Sequence, residues 1–194
     1  MKFFDHKWPA ILLCPLSILY GLVVRIRNFC YDKGIFKSFA VGCKVISIGN
    51  ITVGGTGKTP MVQYVVDHFM ACEKRVAIIS RGYGRQSKGS LLVSDGEKIL
   101  CSVGEAGDEP FQLAKSCVGA IVAVDEDRVR IARIVISKFS PDVIVLDDAF
   151  QHRRIKRDLD IIMARSGKPV GNGFLLPAGP LREPISGLRR AHVI

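Results

Sequence analysis

At 194 residues the chain is long for one small domain and short for two, which points to one α/β domain with an appendage. Its 28 Lys and Arg against 18 Asp and Glu give a formal charge of +10, which favours an anionic partner such as a nucleotide, a nucleic acid or a phospholipid headgroup. Six cysteines are scattered without a CxxC pair or a histidine at ligand spacing, so a disulfide framework and a zinc site are both excluded and a reducing compartment fits.

The first 35 residues are expected to form an apolar, membrane-associated helix, with residues 36–194 as a second unit. From Trp8 to Val24 there is no charge, while Lys7 precedes the stretch and Arg25, Arg27 and Lys33 follow it. The length is at the lower edge of what spans a bilayer, and Pro9 and Pro15 interrupt it. A cleaved signal peptide lacks a convincing cleavage site, and a buried core helix competes; the preferred reading is a helix that dips into the cytoplasmic leaflet.

From Lys44 onward, short β-branched runs alternate with helical patterns, as in a mostly parallel sheet with helices on both faces. KVISIGN is a strand that leads into a glycine loop, and apolar residues at 61, 62, 65, 66 and 69 predict a helix from Lys58 to about Cys72. RVAIIS is a second strand, followed by the basic loop RGYGR. LLVSDGEKIL alternates about Asp95-Gly96, the signal of a small inserted β-hairpin. AGDEPFQLAKSC reads as a loop and helix, AIVAV and VIVLDD as core strands around the helix DRVRIARIVISKF, and LDIIMA as a further strand. A loop-rich segment then ends on AHVI, which looks like the opening of another strand, so the chain is expected to be short of its full-length protein.

The chemistry starts in ITVGGTGKTP. Backbone N–H groups of Gly54, Gly55, Thr56 and Gly57 can wrap an oxyanion, and the following helix adds its positive N-terminus. Lys58 would reach the terminal phosphates of ATP, and the Thr59 hydroxyl would ligate Mg²⁺. Thr52 stands where the common phosphate loop has its first glycine, yet the strand before and the helix after supply the context that the motif requires. Asp147 and Asp148, closing a buried strand, supply the acidic half of a nucleotide site: one carboxylate holds Mg²⁺ and the other orients it or moves a proton. Asp108 and Glu109 in GDEP either cap a helix or accept a proton from an attacking hydroxyl. Arg128 and Arg182 are able to bind phosphate, and Gln151 and His152 lie just beyond the paired acids.

The ordered set GNITVGGTGKTP, SRGYGR, GDEP, DDAFQHR, LDI and LLPAGPLREP, after an apolar N-terminal helix, resembles the tetraacyldisaccharide 4′-kinase family, the lipid A 4′-kinases. The resemblance covers the whole chain and absorbs the Thr52 departure. It implies transfer of the ATP γ-phosphate to the 4′-hydroxyl of a tetraacyldisaccharide 1-phosphate, giving lipid IVA at the cytoplasmic face of the inner membrane. It also implies that residues 52–59 bind nucleotide, that Thr59 and Asp147 serve Mg²⁺, and that Asp108 is the catalytic acid or base. Asp148, Gln151, Arg128, Arg182 and Glu183 line the site in that reading. Members of the family continue into a second, smaller domain that supplies a histidine partner for the catalytic aspartate; neither His152 nor His192 is assigned that role, and the present residues alone are expected to bind nucleotide with little turnover.

A switch ATPase is the main alternative, but Val53 occupies the position of its signature lysine. A catalytically deficient, membrane-bound nucleotide-binding fragment is the other. A guanine-reading Asn-Lys-x-Asp segment does not occur, and nucleic acid is a poor partner because the basic residues are spread over loops with few aromatics.

Overall fold

A computed structural model describes residues 7–194, with side chains described from Leu12 onward. Six strands make one sheet: β1 Lys44–Gly49, β2 Val76–Ser80, β3 Leu91–Asp95, β4 Ile121–Val124, β5 Val143–Asp147 and β6 Leu159–Ile162. Their spatial order is β3-β4-β2-β5-β1-β6, parallel throughout except for the antiparallel edge strand β3. The inner strands β2, β4 and β5 are buried along their whole length, as parallel strands covered on both faces must be.

Alternate residues feed two cores. Val143 and Val145 of β5 join Ile46, Ile78 and Val122 beneath α2 (Lys58–Ala71) and α4 (Asp108–Ser116); the one-turn helix α3 is Val103–Ala106. Ile144 and Leu146 point the other way, with Ala77 and Ile79, into the face covered by Ile131 and Val135 of α5 (Arg128–Phe139). The helix predicted from the apolar spacing after Lys58 forms as expected, burying Val62, Val65 and Val66.

The Asp95-Gly96 turn exists, with Asp95 Oδ1 accepting from the N–H groups of Glu97 and Lys98. The hairpin sits at the edge of the sheet: its first arm, β3, is the antiparallel edge strand, and its return arm is short, a bridge between Ser94 and Ile99 with the Leu100 N–H donating to the Val93 carbonyl. Pairing with β4 supplies a longer ladder than a short hairpin could. The N-terminal helix α1, Lys7–Asp32, lies within the 35 residues expected for it, running past Arg25 and Arg27 and accommodating Pro15.

α1 touches the rest of the chain along a narrow line. Ser17 Oγ donates to the Leu175 carbonyl (2.8 Å), Tyr20 Oη to the Arg182 carbonyl (2.6 Å), and Asn28 Nδ2 to Glu183 Oε2 (3.2 Å). Near its end, Arg153 bonds the Asn28 carbonyl and Asp32. The remaining surface is apolar and open: Leu12, Leu16, Ile18, Leu19, Leu22, Val23, Ile26 and Phe29 are all exposed. By length and composition this helix could cross a membrane.

Candidate functional site

The carboxyl ends of β1, β2 and β5 open into one cavity of about 990 Å³, where the open side of a parallel sheet places its ligands. Its floor is the phosphate loop. Gly54 and Gly57 adopt φ of 104° and 81°, conformations that glycine reaches without strain, and Gly57 caps α2. The N-terminus of a fourteen-residue helix thus faces the space. The loop is braced from below and beside. The fully buried Asn50 donates from Nδ2 to Thr56 Oγ1 (3.0 Å), Gln151 Nε2 donates to the Asn50 carbonyl (2.8 Å), and the Arg165 guanidinium grips the Gly55 carbonyl.

The paired acids sit at different depths. Asp147 is buried at the end of β5 and accepts the Ser80 hydroxyl at 3.2 Å. Burial, then the Asp148 charge and Glu109, push its carboxyl up to about 6 against the Ser80 bond and Lys58. Asp148 turns outward in a left-handed conformation (φ 47°) and lines the cavity. There Arg182 Nη1 lies 2.9 Å from both its oxygens, and Lys58 Nζ is 3.7 Å away. The segment before Arg182 runs beside the phosphate loop, with Thr52 bridged to Leu181 and Val53 N–H donating to the Pro180 carbonyl.

Further cations complete the walls. The Arg128 guanidinium is buried, and its Nε has no protein partner among the described residues. Desolvation, with the nearby Arg81 charge, lowers its pKa. His152 also lines the cavity; burial and then Arg128 press its pKa down to about 4, so the imidazole is neutral near pH 7.

Of the residues expected from sequence, Val53, Gly54, Gly55, Thr56, Gly57, Lys58, Thr59, Arg128, Asp148, Gln151 and Arg182 line this cavity. Thr52 is buried at the loop's entrance. Glu183 is placed differently: it is fully buried behind the wall, where it accepts from Asn28, Gln151 and Arg190. Asp108 is exposed in the first turn of α4, while its neighbour Glu109 is the member of GDEP that lines the cavity. Sequence reasoning missed Asn50, Ser80, Arg81, Tyr83 and the contributions of Tyr20 and Arg27 from α1. The RGYGR loop carried a signal, two glycines between cations; Asn50 carried only its place between strand and loop.

The donors present fit a hard cation. Thr59, Asp147 and Asp148 offer oxygen only, and the raised Asp147 carboxyl is a group that a nearby cation would relieve. Among the described residues no group of three or more His, Cys, Asp or Glu could hold a metal ion by itself.

Comparison with known proteins agrees with this geometry. The chain is 52% identical over 192 residues to the tetraacyldisaccharide 4′-kinase of Chlorobaculum tepidum, and 48% identical over 186 residues to that of Geobacter sulfurreducens. The matches cover 97% and 95% of the chain but 55% and 52% of those relatives, so the chain spans about half their length. The crystal structure of LpxK from Aquifex aeolicus in complex with ATP superposes with a TM-score of 0.87 at 44% identity, covering 94% of this chain and 56% of that one. The family described as tetraacyldisaccharide-1-P 4′-kinase matches residues 9–194, and this chain, with its glycine loop, paired acids and apolar first helix, belongs to that family.

Proposed function

We propose that this chain carries the nucleotide-binding site of a lipid A 4′-kinase, which transfers the ATP γ-phosphate to the 4′-hydroxyl of tetraacyldisaccharide 1-phosphate to give lipid IVA. The observation that carries the reading is the single cavity in which the Lys58 loop, Asp148 and Arg182 meet beside the GDEP turn. Loop N–H groups and Lys58 hold the phosphates, and Arg128 and Arg182 meet charge that develops as the phosphoryl group moves. Thr59 and Asp147 would hold Mg²⁺, which supplies further charge neutralisation when bound. Gln151, held by Glu183, braces the Asn50 carbonyl ahead of the loop. Asp108, exposed in the first turn of α4 next to Glu109, accepts the proton of the attacking hydroxyl.

The same reading places the chain at the cytoplasmic leaflet of the inner membrane. An acylated acceptor stays in the bilayer, and α1 offers an exposed apolar face, ended by Arg25, Arg27 and Lys33, that can lie at that interface.

The test pairs a fluorescent-ATP titration with a transfer assay on the lipid disaccharide. The chain binds nucleotide with Mg²⁺, and Lys58→Ala loses roughly tenfold or more in affinity, as expected for a charge-assisted phosphate contact. Asp108→Asn keeps nucleotide affinity, and in a protein of the relatives' full length it abolishes transfer. Unchanged ATP affinity in Lys58→Ala would overturn the site, and full transfer by Asp108→Asn would remove that residue's role.

A further inference from the structure

We infer that Arg85 and Glu126 form a positioning pair that fixes the acceptor side of the cavity, by pinning the loop of residues 81–90 to both the GDEP turn and the start of α5. The inference rests on the kinase reading only for what the cavity accepts; the pinning itself is geometry.

The loop carries Arg81 and Tyr83 into the cavity, and three of its glycines, Gly82, Gly84 and Gly89, have positive φ. Such a segment is entropically costly to order and needs anchors. Arg85 provides one. Its side chain is 3% exposed and folds back under the loop, with Nη2 at 2.5 Å from Glu126 Oε1 and 2.7 Å from the Gly89 carbonyl, and Nη1 at 3.2 Å from Ser87 Oγ. Glu126 Oε2 in turn accepts the Gly89 N–H at 3.2 Å. One ion pair therefore closes residues 85–89 into a ring.

That ring is seated on the segment leading into α4. Gln86 N–H donates to the Gly104 carbonyl (2.9 Å) and Ser87 Oγ to the Glu105 carbonyl (2.6 Å). At Gly107, a Cβ would stand 3.0 Å from the Tyr83 carbonyl oxygen, so the two backbones are in contact immediately before Asp108. On its other side, Glu126 lies two residues before Arg128, whose helix is capped by Asp127. The pair thus joins Arg81 and Tyr83, the GDEP turn and Arg128. Neither member lines the cavity, and neither is bonded to the phosphate loop, so they act through the residues they hold.

Glu126→Gln keeps an acceptor and Arg85→Lys keeps a charge, so both variants should fold. Hydrogen exchange on the ligand-free chain is expected to accelerate about tenfold or more in residues 82–90 and 104–109 together, with the phosphate loop unchanged and ATP affinity within about twofold of wild type, because the lost contacts are remote from residues 52–59. In a full-length protein, kcat for transfer to the lipid disaccharide is expected to fall about tenfold at constant KM for ATP. Exchange confined to residues 82–90, or ATP affinity falling in step with kcat, would overturn the pair as a positioning device. If the wild-type full-length protein transfers no phosphate to that acceptor, the kinase reading fails and the exchange pattern alone decides the pair.

Discussion

Replacing Asp147 by Asn should stabilise the ligand-free chain at neutral pH, although it removes a residue of the site. Asp147 is 3% exposed, and its carboxyl is raised from the usual 3.8 to about 6, chiefly by loss of hydration and then by the neighbouring Asp148 charge. At about 1.4 kcal/mol for each tenfold, that rise costs the ionised fold roughly 3 kcal/mol. The sign follows from proton counting. Between about pH 4 and 6 the native state binds more protons at this position than the unfolded chain does, so stability falls as pH rises through that window and stays lost above it. Asn carries no charge yet still offers an oxygen to the Ser80 hydroxyl. Urea unfolding with chelator and without nucleotide, from pH 4.5 to 7.5, should show a flatter pH profile for Asp147→Asn and a gain of up to roughly 3 kcal/mol at pH 7.5. An unchanged profile, or a variant less stable than wild type at pH 7.5, would refute the account of how the site stores this cost.

Asn50→Ala should weaken ATP binding about tenfold in a fluorescence titration, because Thr56 loses its buried amide donor while the Asn50 backbone still receives Gln151. Phe150→Ala, which empties a fully buried site packed against Gly49, should cost roughly 3–5 kcal/mol in urea unfolding. Leu19→Asp combined with Val23→Asp, both on the exposed face of α1, should lower binding to anionic vesicles about tenfold or more in a sedimentation assay while leaving the unfolding midpoint nearly unchanged.

The inner strands were readable because each is a short run of aliphatic, mostly β-branched residues, and α2 because Val62, Val65 and Val66 recur at helical spacing. The Asp95-Gly96 turn was legible as a small hairpin, but a turn says nothing of which strand the incoming arm will pair with, here β4. The extent of α1 was legible as well: it ends at Asp32, inside the 35 residues expected for it, although what meets its end there, Arg153, was not.

Lys58, Thr59 and the paired acids could be named from the chain because each motif is contiguous: a phosphate loop needs its glycines, lysine and helix start in one run, and a buried strand ends on its own acids. The depth of each acid, and the company it keeps, could not. Asp147 is buried while Asp148 faces the cavity because the backbone turns left-handed at Asp148, and Arg182 reaches Asp148 because the segment before it lies along the phosphate loop. Gln151 meets Asn50 across 101 residues, Asn28 meets Glu183 across 155, and Arg85 meets Glu126 across 41. Local patterns follow from steric and hydrophobic rules that act within a few residues, so they can be read in the chain; which distant polar groups satisfy one another follows from the order in which the sheet lays down its strands, and that exists only in the folded protein.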